Sequence, residues 1–197
     1  MSQADIKKLE TEIFELTKKL GALKKDAVGE EISDYTFESE NGSTQLSDMF
    51  GDKDKLLLIH NMGQGCRYCT TWADGLNGFL PHLESVFSVA LVSKDAPELQ
   101  RRFANERGWR FRTFSHGGGK YLEEQSVGEG NSPGAVFYEK KDGKIFRKNA
   151  VGFGPYDLYC SIWNFLALGG YGVENFTPQY NYWKRPEKMC DGGENLR

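Results

Sequence analysis

The stretch from Lys55 to Met62, KLLLIHNM, is a nearly continuous apolar run of strand length. Such a run suits a central strand buried on both faces of a sheet. Directly after it the pattern changes to helical spacing, with Cys69, Trp72, Ala73, Leu76, Phe79, Leu80 and Leu83 on one stripe. Gly75 and Gly78 weaken that helix, and Pro81 is expected to kink or break it. A second apolar strand, SVALVS, follows at Ser88 to Ser93. Strand, helix and strand in close succession form a β-α-β unit, whose crossover is expected to be right-handed.

The rest of the chain is arranged around this unit. Ile6, Leu9, Ile13, Leu16, Leu20 and Leu23 recur at spacings of three and four among Lys and Glu, the pattern of an amphipathic helix. It either lies on its own domain or makes a homodimer contact. DYTFESENGSTQLSDMF reads as a short hairpin turning at Asn41-Gly42, with Ser47 capping a brief helical turn. APELQRRFANERGW reads as a helix with Pro97 in its first turn and Gly108 at its stop. RFRTFS is a short strand, and the glycine-rich segment from Ser115 to Ser132 a mobile surface loop. PGAVFYEKKDGKIFRK is a hairpin turning at Asp142-Gly143. A final helix places Leu158, Ile162, Phe165 and Leu166 at core spacing, and the tail from Gly169 onward is expected to wrap the surface. These elements divide into an N-terminal helix (1–27), an α/β domain (28–170) and a C-terminal extension (171–197). The order β-α-β-α-β-β-β-α predicts a thioredoxin-like fold, a mixed central sheet flanked by helices.

Composition narrows the function classes. Twenty-five Lys and Arg against 28 Asp and Glu leave a formal charge of −3. That balance gives no reason to expect nucleic acid, and there is no basic block for an anionic membrane surface. No apolar run approaches the roughly 20 residues of a membrane span, and the N-terminus lacks a secretory pattern. Four cysteines are too sparse for a disulfide scaffold, so a reducing, cytoplasmic setting is expected. There a close cysteine pair signals redox chemistry or metal more often than a structural bridge.

That pair is Cys66 and Cys69, at the junction where the buried strand gives way to helix. Unpaired N–H groups and the helix dipole stabilise a thiolate at such a position, and Arg67 adds a neighbouring positive charge. Cys66 is expected to be the exposed, attacking thiol. Cys69, on the apolar stripe, is expected to be buried and to resolve the mixed disulfide across one helical turn. Thioredoxin folds typically carry a cis proline before the strand that faces the dithiol, and Pro133 holds that place. His60 lies six residues before Cys66, where thioredoxins hold a buried acid. An imidazole there could handle the resolving thiol's proton, or could be a hydrogen-bonded core residue. No cofactor is expected.

GCRYCTTWADGLNG, VALVSKDAPELQRRFANERGWRFRTFSH, SPGAVFYEKKDGKIFR and FGPYDLYCSIWNFLALG together resemble the thioredoxin-like family of unknown function whose members are labelled predicted dithiol-disulfide oxidoreductases. The resemblance covers roughly residues 28 to 185. It implies that Cys66 and Cys69 are the redox pair and that Trp72, Asp74 and Gly75 belong to the signature after it, with Trp72 and Asp74, like Arg67, as binding candidates. The partners implied are a protein or small-molecule disulfide and an electron donor such as the thioredoxin or glutathione system. Arg67-Tyr68 departs from the Gly-Pro of thioredoxin, and no tryptophan precedes Cys66. The layout is also similar to peroxiredoxins, but the threonine they place three residues before the reactive cysteine is Gly63 here, which puts a peroxidase second.

Other readings compete. A structural zinc usually needs four ligands, and His60, His82, His116, Cys160 and Cys190 form no second half-site for one. A thioredoxin scaffold used only for binding, or a pair of cysteines serving as small hydrophobes, is also compatible with the residues alone. Cys160 is expected in the core near Trp163, and Cys190 as a free thiol of the tail.

Overall fold

The structure, a computed structural model, describes residues 2–178. Its sheet has eight strands in the order β1-β8-β7-β4-β5-β6-β2-β3. At the centre β4 (Lys55–His60), β5 (Ser88–Ser93) and β6 (Arg112–Ser115) run parallel, with Ile59 opposite Leu91 and Leu91 opposite Thr113. The two apolar runs are therefore neighbours, and all six residues of β5 are buried. The hairpin of β7 (Gly134–Lys141) and β8 (Lys144–Gly152) joins antiparallel to the other side of β4, turning at Asp142-Gly143. This is the thioredoxin-like mixed sheet that the element order predicts.

Pleating sends alternate residues of β4 to opposite sides. Leu56 and Leu58 join a core with Phe37, Phe50, Val92, Tyr121 and Tyr138, while Ile59 packs with Ala73, Leu80, Phe103 and Phe111. The second layer is covered by α2 (Arg67–Glu84) and α3 (Pro97–Arg107). α3 begins at Pro97 and stops at Gly108, which takes the left-handed conformation and donates its N–H to Ala104 and Asn105. Contrary to expectation, α2 runs through Gly75, Gly78 and Pro81 to Glu84. The apolar stripe, with Ala73 and Leu80 buried against the sheet, outweighs three unfavourable local preferences.

Several expectations need correction. β2 (Thr36–Ser39) and β3 (Gly42–Gln45) form the expected hairpin, but it turns at Glu40-Asn41, one residue earlier than expected, with Gly42 paired to Ser39, and Ser47 is not the cap of the 3-10 turn Leu46–Phe50. Gln45 holds that position, and its N–H donates to Asp48 at 3.0 Å. A short strand β1 (Glu30–Ile32) pairs with β8, where the sequence shows only the end of a helix. The glycine-rich segment contains α4 (Lys120–Gln125), which buries Tyr121 and Gln125 under the sheet. α5 (Ile162–Leu168) buries Trp163, with Ile162 and Leu166 packed beside it as expected, but Phe165 is exposed, as is Leu158 before the helix, so only half of the expected core face reaches the core.

The N-terminal helix α1 (Gln3–Asp26) begins with a capping box between Ser2 and Asp5 and buries no residue. Its apolar stripe, including Leu9, Ile13, Leu16 and Leu23, is exposed. The helix is tied to the domain at its last turn, where Asn149 donates to the Lys24 carbonyl at 3.0 Å and Lys24 bonds the Tyr159 hydroxyl. Among the described residues no helix is long and apolar enough to cross a membrane. Cys190 and most of the C-terminal extension lie outside the described residues. The extension's first part packs inward, with Phe176 edge-on to Trp163 at 6.0 Å.

Candidate active site

Strand β4 ends at His60, and residues 61–66 turn the chain into α2. Gly63 makes this turn possible: its φ is +118°, and a Cβ built there would lie 2.8 Å from both carboxylate oxygens of Asp95. Asp95 in turn accepts the Gln64 N–H at 2.7 Å, while the Asn61 side chain accepts the Gly63 N–H at 2.8 Å. The position where a peroxiredoxin has threonine thus cannot hold a side chain without displacing a carboxylate. Gly63→Ala is expected to lower stability by roughly 1–3 kcal/mol, read as the chemical denaturation midpoint. Asp95→Ala in the same background should recover only the part due to the clash, because the backbone strain stays.

Cys66 is the N-cap of α2. Its sulfur accepts the Cys69 N–H at 3.1 Å, in the place usually taken by a serine or aspartate oxygen. Thr70 closes the turn from below, its N–H and hydroxyl both donating to the Cys66 carbonyl, at 3.1 and 2.9 Å. Cys69 Sγ accepts the Met62 N–H at 3.5 Å, so the second thiol faces back onto the turn. The two stand as a reduced dithiol, with no disulfide between them. Cys69 is buried, as expected, at 2% exposure, but Cys66 is buried too, at 1%. The exposed attacking thiol read from the sequence is corrected on this point: the walls of a narrow cleft cover it.

That cleft, about 310 Å³, is lined by Met62, Cys66, Tyr68, Trp72, Pro133 and Phe153, with Gly154 and Pro155 at its edge. It brings together three of the residues singled out in the sequence: Cys66, Trp72 and Pro133. Trp72 stacks on Phe153, with ring centroids 5.7 Å apart and planes 4° from parallel, and its Nε1 donates to Asp157 at 2.8 Å. Asp157 also accepts the N–H groups of Gly154, Tyr159 and Cys160, so one carboxylate holds the loop that walls the cleft. Cys160 sits beside Trp72 and Trp163 in the expected core position, and burial pushes its thiol up.

Pro133 reaches the cleft, but not by the expected conformation. No peptide bond among the described residues is cis, so Ser132–Pro133 is trans. Trans is the default for X-Pro, and here the proline is positioned by pairing instead: Gly134 pairs with His60 and Gly152, and Phe153 donates to the Pro133 carbonyl at 2.9 Å. Gly134 permits this close approach, because a Cβ there would run into the Val151 carbonyl.

Arg67 is buried at the first position of α2, directly after the N-cap residue. Asp74 does not line the cleft. It grips Arg107 through both carboxylate oxygens and accepts Trp109 Nε1 at 2.7 Å, joining α2 to the end of α3. The TTWADG signature therefore combines a helix-start brace, a cleft wall and an interhelical clamp.

His60 is 4% exposed, and burial holds it neutral, its pKa lowered to about 3. Its Nε2 lies 2.6 Å from the Tyr121 hydroxyl. His116, at the end of β6, is lowered to about 4, again chiefly by burial. Sequence reading missed Tyr121, Asp95 and Asp157. Tyr121 lies in a segment whose glycines predict a loop, and the two aspartates, in the loops that follow β5 and β8, carry no motif. Among the described residues no group of three or more His, Cys, Asp and Glu is placed to hold a metal ion.

Residues 7–189 match the family model described as "Bacterial protein of unknown function (DUF899)". No curated protein matches the chain. Its structural neighbours include a cysteine-to-serine mutant of peroxiredoxin Q from Xanthomonas campestris (TM-score 0.56, 18% identity, 74% of this chain and 98% of that one). Peroxidoxin BcpB of Mycobacterium tuberculosis superposes with a TM-score of 0.53 at 16% identity, over 73% and 94% of the two chains. Reduced Prx3 of Vibrio vulnificus does so with 0.54 at 12%, over 73% and 98%. At these identities the likeness is one of fold.

Proposed function

Because the chain belongs to the DUF899 family of bacterial proteins, whose function is unknown, we propose from its geometry that it is a thiol–disulfide oxidoreductase. The observation that carries this reading is the Cys66 sulfur at the N-cap of α2, bonded to the N–H of the residue that would resolve it. A sulfur so placed is favoured as thiolate by the helix dipole and the unpaired N–H groups, and the buried Arg67 adds positive charge to the same helix end.

In the cycle, the Cys66 thiolate attacks one sulfur of a substrate disulfide. One S–S bond forms, one breaks, and the first substrate thiolate leaves and takes a proton. Cys69 then loses its proton and attacks Cys66 Sγ, forming the Cys66–Cys69 disulfide and releasing the second substrate thiol. An external thiol donor, of the thioredoxin or glutathione class, returns two electrons and two protons. Trp72 and Pro133, as cleft walls, would hold the substrate disulfide against Cys66. This cycle suits a reducing compartment, in keeping with a cytoplasmic location.

Equilibration with glutathione buffers tests the reading. Cys66 and Cys69 are expected to interconvert as a reversible two-electron couple, followed by thiol alkylation and mass spectrometry. A pair that never bridges at any ratio sinks the proposal. A second reading, thiol peroxidase, is favoured by one observation: a sulfur only 1% exposed in a small cleft suits a small oxidant. Against it stands the Gly63–Asp95 arrangement. Hydrogen peroxide should therefore be consumed far more slowly than a peptide disulfide, and the reverse order would establish the second reading.

A further inference from the structure

A chain of buried side chains runs from His60 to the surface. His60 Nε2 lies 2.6 Å from the Tyr121 hydroxyl, which lies 3.1 Å from the Tyr138 hydroxyl. Tyr138 is 3.3 Å from Gln125 Oε1, Gln125 Nε2 is 3.2 Å from the Tyr35 hydroxyl, and Tyr35 is 2.6 Å from Glu124 Oε2. Four elements or their flanks contribute: β4, α4, β7 and the approach to β2. At the far end Glu124 is 44% exposed, and its other oxygen faces Lys120 at 3.5 Å.

Each tyrosine hydroxyl has one proton, and that restriction sets the direction of every bond. An ionised Glu124 only accepts, so the Tyr35 proton points to it. Tyr35 must then accept, which turns the Gln125 NH₂ toward Tyr35 and its carbonyl toward Tyr138. That carbonyl takes the Tyr138 proton, so Tyr138 accepts from Tyr121. Tyr121 has then spent its only proton and must accept from His60. The order of donors is consistent with the acidities: burial first, then the neighbouring Tyr138 through its charge and its hydrogen bond, holds the Tyr121 proton firmly.

We infer that Glu124 and this relay are positioning residues that lock His60 as the neutral Nε2–H tautomer. Its Nδ1 is left as a bare lone pair, buried and without a hydrogen-bond partner in the structure. The charged or titratable groups acting on the ring, His116 and Arg147, both disfavour an imidazolium, as burial does. His60 thus presents an acceptor, not a cation. The strand that carries it ends two residues before Met62, whose N–H meets Cys69 Sγ. A role for this acceptor in the resolving step rests on the oxidoreductase reading above, whereas the tautomer does not.

Long-range 1H–15N NMR of the full chain, with ring nitrogens assigned by comparison with His60→Gln, tests the lock without any redox readout. The wild type is expected to show a pyrrole-type Nε2 and a pyridine-type Nδ1. In Tyr138→Phe, the Tyr121 proton loses its acceptor and turns to His60 Nε2, inverting the pattern to Nδ1–H. Glu124→Lys, a surface change that spares the core, replaces the terminal acceptor with a donor and should reverse every bond to the same result. An Nδ1–H wild type overturns the assignment. A wild-type pattern retained in Glu124→Lys overturns the control from the surface, whether or not Tyr138→Phe folds. Glutathione equilibration of the same samples separates the two readings: an intact couple without the inversion refutes only the lock.

Discussion

Cys66→Ser is expected to abolish disulfide turnover, by roughly 10³-fold or more, while leaving the fold in place. The serine hydroxyl can still accept the Cys69 N–H as an N-cap, so helix α2 keeps its start. What is lost is the nucleophile. Cys69→Ser should fail differently. Cys66 still attacks, but nothing resolves the product, so a mixed disulfide between Cys66 and substrate accumulates to about one equivalent and is visible as an intact-mass adduct. The asymmetry is the informative part. If Cys69→Ser turns over like the wild type, or if the adduct forms on Cys69 in Cys66→Ser, the assignment of roles from the N-cap geometry is wrong.

A steep acid destabilisation is the second large effect. His60 is lowered to about 3 and His116 to about 4 in the folded chain, while both titrate near 6.5 when unfolded. Between those values the unfolded state binds more protons than the folded one, so stability rises with pH across this window. It is fully present above about pH 6.5 and is lost as pH falls toward 4. Each histidine should contribute a slope approaching ~1.4 kcal/mol per pH unit once its unfolded form is protonated. His60 alone amounts to at most ~5 kcal/mol. Urea midpoints measured from pH 7.5 to 4.5 check this. His60→Gln should remove about half of the slope above pH 5, where few carboxylates titrate, and a wild-type profile that is flat there would contradict the burial of both rings.

Much of this framework was legible in the residues. The runs KLLLIHNM and SVALVS are apolar without alternation, a pattern that suits a strand covered on both faces, and they form the parallel centre of the sheet. Pro97, Gly108 and Asp142-Gly143 act through their own backbone preferences, and each sits where those preferences place it, whereas the first hairpin turns one residue early, at Glu40-Asn41, with Gly42 already paired to Ser39. The misreadings have a different origin. Pro81 and two glycines argued against a long α2, but its buried face decided the matter. Glycines at 117–119 concealed α4, whose six residues form a helix only because Tyr121 and Gln125 find a buried network to join.

The candidate site shows the same division. Local order along the chain placed two thiols at a strand-to-helix junction, because a cysteine directly before a helix must sit at its positive end whatever the fold around it. That much the sequence alone determined, together with the strand that leads to it. Tertiary structure decided the rest: that Cys66 is covered, that Pro133 faces it through a trans bond, that Asp95 takes the space opposite Gly63, and that Asp74 serves a clamp instead of the cleft. The physical reason is distance along the chain. These contacts join residues some 30 to 90 positions apart, whose meeting depends on how strands pair and which face each one buries. Neither is written in any local spacing.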